Sequence, residues 1–333
     1  MKALILEGKN QPLVFQERPD PMPDERDSVV EIFAAALNHR DLWIKKGLYA
    51  GLKYPIILGS DGAGVVRGQR SSTDGQLPAR EVIIYPAMAW GDLQSHQDPK
   101  NFKILGLPEN GTFAELVKVP TENLFPKPAH LTFEEAACLP LAGLTAYRAL
   151  FPRGLLKAGE KVLITGIGGG VATLALQFAI AAGAQVYITS GSPEKIRKAK
   201  SLGAIQGFSY LENQWALSAK AVAGSFDLIV DGAGGDGVNH LLDLVKPGGR
   251  VLFYGATKGN ATQIEIRRIF WKQINVMGST MGSEKDFVEM LSFVNSHGIK
   301  PIIDQIYPLS EGESAFRKMD EGIQFGKIIL KMS

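Results

Sequence analysis

The chain has 333 residues, enough for one large or two ordinary domains with real cores. Its composition is that of a globular protein, 45% hydrophobic and 21% charged, and its formal net charge is only +2. No block of five like charges appears, which argues against a nucleic-acid tail or a membrane patch.

The single cysteine, Cys138, excludes an internal disulfide and any zinc site built on several thiolates. It fits a reducing compartment, so a cytoplasmic protein is expected. The opening run MKALILEG is too short for a signal-peptide core, and no uninterrupted apolar stretch suggests a membrane span.

From Met1 to about Val119 the chain reads as short strands: KALIL, SVVEIFAAAL, GAGVV, EVIIYP and FAELVKV. The intervening PDPMPDERD, GQRSSTDGQ and LPENG are rich in turn residues. This spacing predicts a compact, barrel-like β domain.

The rhythm changes near Pro126. LTFEEAACLPLAGLTAYRALF has helical spacing, with Thr132 and Glu135 forming a capping box. KVLIT, QVYIT, FDLIVD and GRVLFYG read as buried strands. VATLALQFAIAAG, SPEKIRKAKSLG and DGVNHLLDLVKPGG read as helices between them. Strands alternating with helices predict an α/β fold with a doubly wound parallel sheet, NVMGST being its last strand. FVEMLSFVNSHG, DQIYPLS, GESAFRKMDEG and KIILKMS then close the chain, and they are expected to pack back partly on the first domain.

The segment KVLITGIGGGVATLALQFA sets Gly166, Gly168, Gly169 and Gly170 between a strand and a helix. A pyrophosphate needs such a turn. Unpaired N–H groups and the helix dipole attract it, and side chains would hold the backbone away. Gly168, Gly169, Gly170 and Val171 are therefore expected to cradle a dinucleotide. In the best register the motif begins on Ile167 and ends on Ala172, and alanine serves at the last position, which governs close packing.

An acid about 20 residues past the glycines usually meets a free ribose 2′-hydroxyl. Here the second strand ends in Thr189, Ser190, Gly191 and Ser192, with Lys195 following. An uncharged, hydroxyl-rich pocket with a cation suits a 2′-phosphate, which points to NADPH. The alternative is a capped surface helix with solvated basic residues.

NHRDLW, LGSDGAGVV, GTFAELVKVP, LTFEEAACLPLAGLTAYRAL, the GIGGGVA turn, KPGGRVLFYGA and VMGSTMGS, in this order, resemble the medium-chain dehydrogenase/reductase superfamily over nearly the whole chain. The resemblance implies three regions. They are a GroES-like catalytic domain over 1–125, a Rossmann cofactor domain over 126–282 and a C-terminal return over 283–333, with the active site in the cleft. It also implies cofactor contacts from Thr145 at the nicotinamide, Gly255 and Ala256 beside its ribose, and Tyr210 at the 2′-phosphate end.

Alcohol dehydrogenases of that superfamily hold a catalytic zinc at positions that here are Asn38, Ser60 and Leu141, none a usual ligand. The stretch matching their structural zinc lobe, residues 87–110, has no cysteine. The chain thus resembles the zinc-free branch of quinone and enone reductases, and no metal is expected. There, hydride adds to the β-carbon of a conjugated carbonyl and hydrogen-bond donors stabilise the developing oxyanion.

Asn38 is the candidate donor, or else a turn residue. His39 and Asp41 are candidates to relay a proton, although Asp41 reads first as the cap of the helix DLWIKKG. Rival readings are an alcohol or aldehyde dehydrogenase, and a catalytically idle NADPH-binding protein. The expected partner is a small carbonyl or quinone substrate, with no nucleic acid and no membrane. Relatives also imply a homodimer paired through strands near NVMGST, where Ile269, Phe270 and Trp271 precede the seam.

Overall fold

The computed structural model describes residues 1–67 and 81–332; the turn-rich segment GQRSSTDGQ, which spans 68–76, lies outside the described residues. The chain divides into two compact units, Met1–Leu144 with Gly282–Ser333, and Thr145–Met281.

The first unit is built on the strand Asp27–Ala36. Its first half pairs antiparallel with Leu116–Pro120, and its other edge with Asp61–Arg67. Its end, Ala34–Ala36, pairs with the C-terminal strand Lys327–Lys331. Close pairing requires glycine at one point: a Cβ on Gly64 would fall 1.9 Å from the Glu31 carbonyl oxygen. A second, smaller sheet sets Lys2–Leu6 between Leu13–Glu17 and Ile56–Ile57. Leu4, Ile5, Ile32, Leu58, Phe113, Phe316, Ile328 and Leu330 form one buried core. Each such side chain contributes about 1.5–3 kcal/mol when fully buried. Ile303–Pro308 runs parallel to Lys327–Lys331, and the helix Gly312–Glu321 supplies the crossover that a parallel pair needs.

One predicted helix is broken. LTFEEAACLPLAGLTAYRALF forms Phe133–Ala136 and Pro140–Arg148, followed by a π turn at Ala149–Arg153. Pro140 has no N–H to donate and disfavours helical backbone at Leu139. The expected capping box is present. Thr132 Oγ1 accepts from Glu135 N at 3.2 Å, and the Glu135 carboxylate accepts from Thr132 N at 2.9 Å.

The second unit is a six-stranded, fully parallel sheet. In spatial order its strands are Gln206–Ser209, Gln185–Ser190, Lys161–Ile164, Phe226–Asp231, Val245–Phe253 and Asn275–Gly278. The chain order reverses beside Lys161–Ile164, and ligands of such sheets bind at the carboxyl ends flanking that point. Leu163, Tyr187, Phe226, Ile229 and Val251 are core. The helix Val238–Leu244 stops before KPGG, which joins the following strand through a register shift. Pro247 and the positive φ of Gly248, 71°, forbid helix there. The strand Gln206–Ser209 and the helix Trp215–Ala223 went unread because the first is only four residues long and the second lacks a cap signal. No helix among the described residues is long and apolar enough to cross a membrane.

Candidate functional site

Three strand ends of the first unit bring a polar cluster together. Asn38 leaves the strand Asp27–Ala36 and caps the helix His39–Lys45. Asp61 opens Asp61–Arg67 and pairs with Ala36, and Lys327 opens the C-terminal strand on the other side of Ala36. Asn38 Nδ2 donates to Asp61 Oδ2 at 2.9 Å. Lys327 Nζ donates to the same oxygen at 2.9 Å, to Asn38 Oδ1 at 2.8 Å and to the Leu37 carbonyl at 2.7 Å. Those three bonds use every donor of the ammonium. The second Asp61 oxygen accepts from Leu141 N at 2.7 Å. Thus the three residues that the sequence comparison sets at metal positions serve other ends: Asn38 and Leu141 hold Asp61. Ser60 donates to the Leu105 carbonyl at 2.7 Å and accepts from Arg40 Nη1 at 3.0 Å.

Arg40 is a buried hub. Its guanidinium also reaches the carbonyls of Ile104, Leu105 and Leu107, each at 3.1 Å, and its Cζ lies 5.1 Å from the Tyr49 ring centroid. It thereby ties the segment 104–107 to the helix His39–Lys45. Asp41 is fully buried and is the third residue of that helix, so the cap is Asn38 and not Asp41. Its Oδ2 accepts from Asn38 N at 2.8 Å, while Oδ1 has no partner. Burial pushes its carboxyl up to about 6, against the opposing pull of the Arg40 charge and the Asn38 bond. His39 reaches solvent, yet surrounding protein and the Lys327 charge lower its pKa from the usual histidine value. Burial pushes the Cys138 thiol up, so it is not a ready nucleophile. Among the described residues, no three His, Cys, Asp or Glu side chains gather as a metal site would require.

Lys327 is the residue that sequence reasoning missed. It stands at the head of KIILK, an otherwise apolar strand, and a buried lysine there demands a carboxylate. Its partner lies 266 residues away, so no local pattern announced it.

In the second unit the glycine turn has the expected strand before it and the helix Gly170–Ala181 after it. Gly166 and Gly168 hold φ of 63° and 130°, and Gly169 is the helix cap. A Cβ added to Gly166 or Gly169 would meet no atom within 4 Å, so the space beside the turn is open. Ile167 is buried and donates its N–H to the Thr189 carbonyl at 2.8 Å, which explains an apolar residue at the first motif position. Gly166 N donates to Thr189 Oγ1 at 3.2 Å, so the second strand end steadies the turn. Beneath it, Thr165 Oγ1 donates to Asp231, whose other oxygen accepts from Ala233 N at 3.1 Å and Gly234 N at 2.7 Å. Burial raises the Asp231 pKa although these bonds oppose it. This Thr165–Asp231 brace, too, was not read from the sequence.

Ser190 Oγ accepts from Ser192 N at 3.1 Å, and Ser192 Oγ accepts from Lys195 N at 3.3 Å, capping the helix Pro193–Ser201. Tyr210 N donates to the Ser190 carbonyl at 3.3 Å. The Tyr210 ring lies so close to Gly191 that a Cβ there would be 3.0 Å from it. Ser190, Gly191 and Tyr210 are therefore one cluster, linked to the glycine turn through Thr189. Gly255 and Ala256 follow the strand Val245–Phe253 and are exposed, and Thr145 is buried in the helix Pro140–Arg148. Asn38, His39 and Asp41 belong to the first unit, and the expected cofactor residues to the second.

The model of the alcohol dehydrogenase GroES-like domain matches residues 24–129, and that of the zinc-binding dehydrogenase matches 170–296. The chain is 33% identical to the zinc-type alcohol dehydrogenase-like protein YogA of Leptosphaeria maculans, over 96% of this chain and 95% of that one. It is 28% identical to acryloyl-coenzyme A reductase of Sulfurisphaera tokodaii, over 99% and 100%. The crystal structure of an NAD-dependent alcohol dehydrogenase superposes with a TM-score of 0.94 at 34% identity, covering 100% of both chains. A quinone oxidoreductase from Thermus thermophilus, also solved in complex with NADPH, gives 0.81 at 29% identity, over 99% and 100%. A GroES-like domain joined to a Rossmann-type parallel sheet, with an open glycine turn suited to a nicotinamide dinucleotide, places this chain in the zinc-type alcohol dehydrogenase-like group of the medium-chain dehydrogenase/reductase superfamily, a family of oxidoreductases.

Proposed function

We propose that this oxidoreductase uses NADPH to reduce quinones or α,β-unsaturated carbonyls and does so without zinc. The observation that carries the reading is the Lys327–Asp61–Asn38 cluster. The Asp61 carboxylate beside the family's metal positions is already neutralised by an ammonium and braced by two further donors. Asn38, Ser60 and Leu141 offer no thiolate or imidazole, and Lys327 as an ammonium cannot ligate. A zinc ion does not fit that donor set.

Without a Lewis acid, reversible oxidation of a simple alcohol lacks its electrophile. Conjugate reduction suits the site better, because negative charge spreads into an enolate that hydrogen-bond donors stabilise. Asn38 spends one amide proton on Asp61 and keeps the other for a substrate oxygen. Asp41 and His39 are assigned to proton relay, since the Asp41 carboxyl, held near 6, binds its proton in the range where enzymes work. The reduced nicotinamide, when bound, supplies the hydride.

The cofactor residues are Thr145, Gly168, Gly169, Gly170, Val171, Ser190, Gly191, Lys195, Tyr210, Gly255 and Ala256. At the end of Gln185–Ser190 the positions from Thr189 to Ser192 carry no acid, while Lys195 and the serine hydroxyls suit a 2′-phosphate. The NADPH complex of the quinone oxidoreductase and the acryloyl-coenzyme A reductase relative support this chemistry. The alcohol dehydrogenase reading has the NAD-dependent structural neighbour in its favour, but the donor set opposes it.

We further assign a homodimer, supported by an exposed edge. Asn275–Gly278 ends the sheet, with Val276 at 47% exposure, Phe270 at 61% and Trp271 at 84%. A cytoplasmic setting fits the buried, free Cys138.

The test is a panel of quinones, enones, aldehydes and alcohols, followed at the absorbance of the nicotinamide with NADPH or NADH and with or without chelator. Turnover of quinones or enones with NADPH, indifferent to chelator, is expected. Turnover confined to alcohols and aldehydes, and lost to chelator, contradicts the proposal.

A further inference from the structure

Two loops at the carboxyl end of the Rossmann sheet are zipped together. Thr257 N donates to the Gly232 carbonyl at 3.2 Å, Lys258 N to the Ala233 carbonyl at 2.8 Å, and Gly235 N to the Gly259 carbonyl at 2.8 Å. The fit needs glycine: Gly234 and Gly235 hold φ of 65° and 62°, and a Cβ on Gly235 would lie 3.1 Å from Lys258 Cβ. The backbone of Lys258 is therefore fixed, while its side chain is exposed.

That side chain reaches across the strand ends. Lys258 Nζ stands 4.4 Å from the centroid of the Tyr210 ring. Tyr210 follows Gln206–Ser209 at one edge of the sheet, whereas Lys258 follows Val245–Phe253 near the other. Between them lie the ends of Gln185–Ser190, Lys161–Ile164 and Phe226–Asp231, with Ser190, Gly191 and the glycine turn. Lys258 makes no ion pair within 4 Å among the described residues, although its charge acts on the buried Asp231.

Resting on the NADPH reading above, we propose that Lys258 is a specificity-determining residue for the adenosine 2′-phosphate. In the free protein its ammonium sits on the Tyr210 ring beside Ser190 and Gly191. A cation on an exposed ring is weakly held, and a dianionic phosphate attracts it more strongly through charge-assisted hydrogen bonds. The four-carbon stem gives the ammonium the freedom to move from ring to phosphate. A cofactor with a free 2′-hydroxyl offers no charge and gains nothing from it. Lys258 comes from a different loop than Lys195, so the phosphate is gripped from two sides.

The experiment is calorimetric titration of the full chain with NADPH, NADH, adenosine 2′,5′-bisphosphate and ADP. The variants are Lys258→Met, which keeps the stem and removes the charge, and Lys258→Arg, which keeps the charge. Lys258→Met should weaken NADPH and the bisphosphate roughly ten-fold, leave NADH and ADP within about two-fold, and flatten the salt dependence of NADPH binding. Lys258→Arg should retain most of the preference. Equal weakening of all four ligands by Lys258→Met, or no weakening of any, overturns the role of Lys258. Wild-type protein that binds NADH as tightly as NADPH instead overturns the cofactor reading itself, and this inference with it.

Discussion

Lys327 Nζ lies 2.9 Å from Asp61 Oδ2, with 3% and 0% of the two side chains exposed. A buried ion pair adds little net stability over a well-packed apolar pair, but breaking it leaves one charge stranded. Lys327→Met should therefore cost about 3–5 kcal/mol in urea unfolding. The double variant Lys327→Met with Asp61→Asn should cost clearly less than the sum of the single changes, because neither charge is then left alone. Additive losses would show that the pair is not coupled.

Asp41 makes stability depend on pH. Burial raises its folded-state pKa from 3.8 to about 6, so the folded protein holds that proton more tightly than the unfolded chain. The resulting stabilisation is fully present below pH 3.8 and is lost as pH rises through about 6. Relative to Asp41→Asn, which keeps an acceptor for Asn38 N and cannot ionise, the wild type should lose up to about 3 kcal/mol between pH 4 and 8. Chemical unfolding of both proteins across that range checks it. A difference that is flat, or that grows in favour of the wild type, contradicts it.

Ser190→Asp puts a carboxylate where the 2′-phosphate is expected. It should repel NADPH and accept the 2′-hydroxyl of NADH, inverting the preference. Dissociation constants for both cofactors decide the matter, and an unchanged ratio would remove Ser190 from the pocket.

The exposed seam at Phe270, Trp271 and Val276 should be covered by a second copy. Light scattering at micromolar concentration should report a dimer mass. Val276→Pro removes an N–H from the edge strand and should yield monomers. A monomeric wild type, or a dimer that survives the proline, contradicts the assignment.

The parts legible in the sequence were those written locally. The glycine turn, the Thr132–Glu135 box and the Ser192 cap each lie within a few residues, and the apolar strands announce themselves by composition. The break at Pro140 was also visible, but helical spacing on both sides of the proline masked it. What stayed hidden depends on long-range pairing. Lys327 meets Asp61, Arg40 meets the carbonyls of 104–107, and Thr165 meets Asp231 only after the strands align. Asn38 was readable as a candidate donor. That half of its amide is spent on Asp61 and Lys327 was not, because both partners come from other strands.

The most direct test of a zinc-free conjugate reduction is the position of the transferred hydrogen. NADPH deuterated at the transferred position, an enone and exhaustively chelated protein should give a saturated ketone with one deuterium at the β-carbon, read by mass spectrometry and NMR. Deuterium at the carbonyl carbon of an allylic alcohol, or transfer that returns only when zinc is added back, would contradict the account.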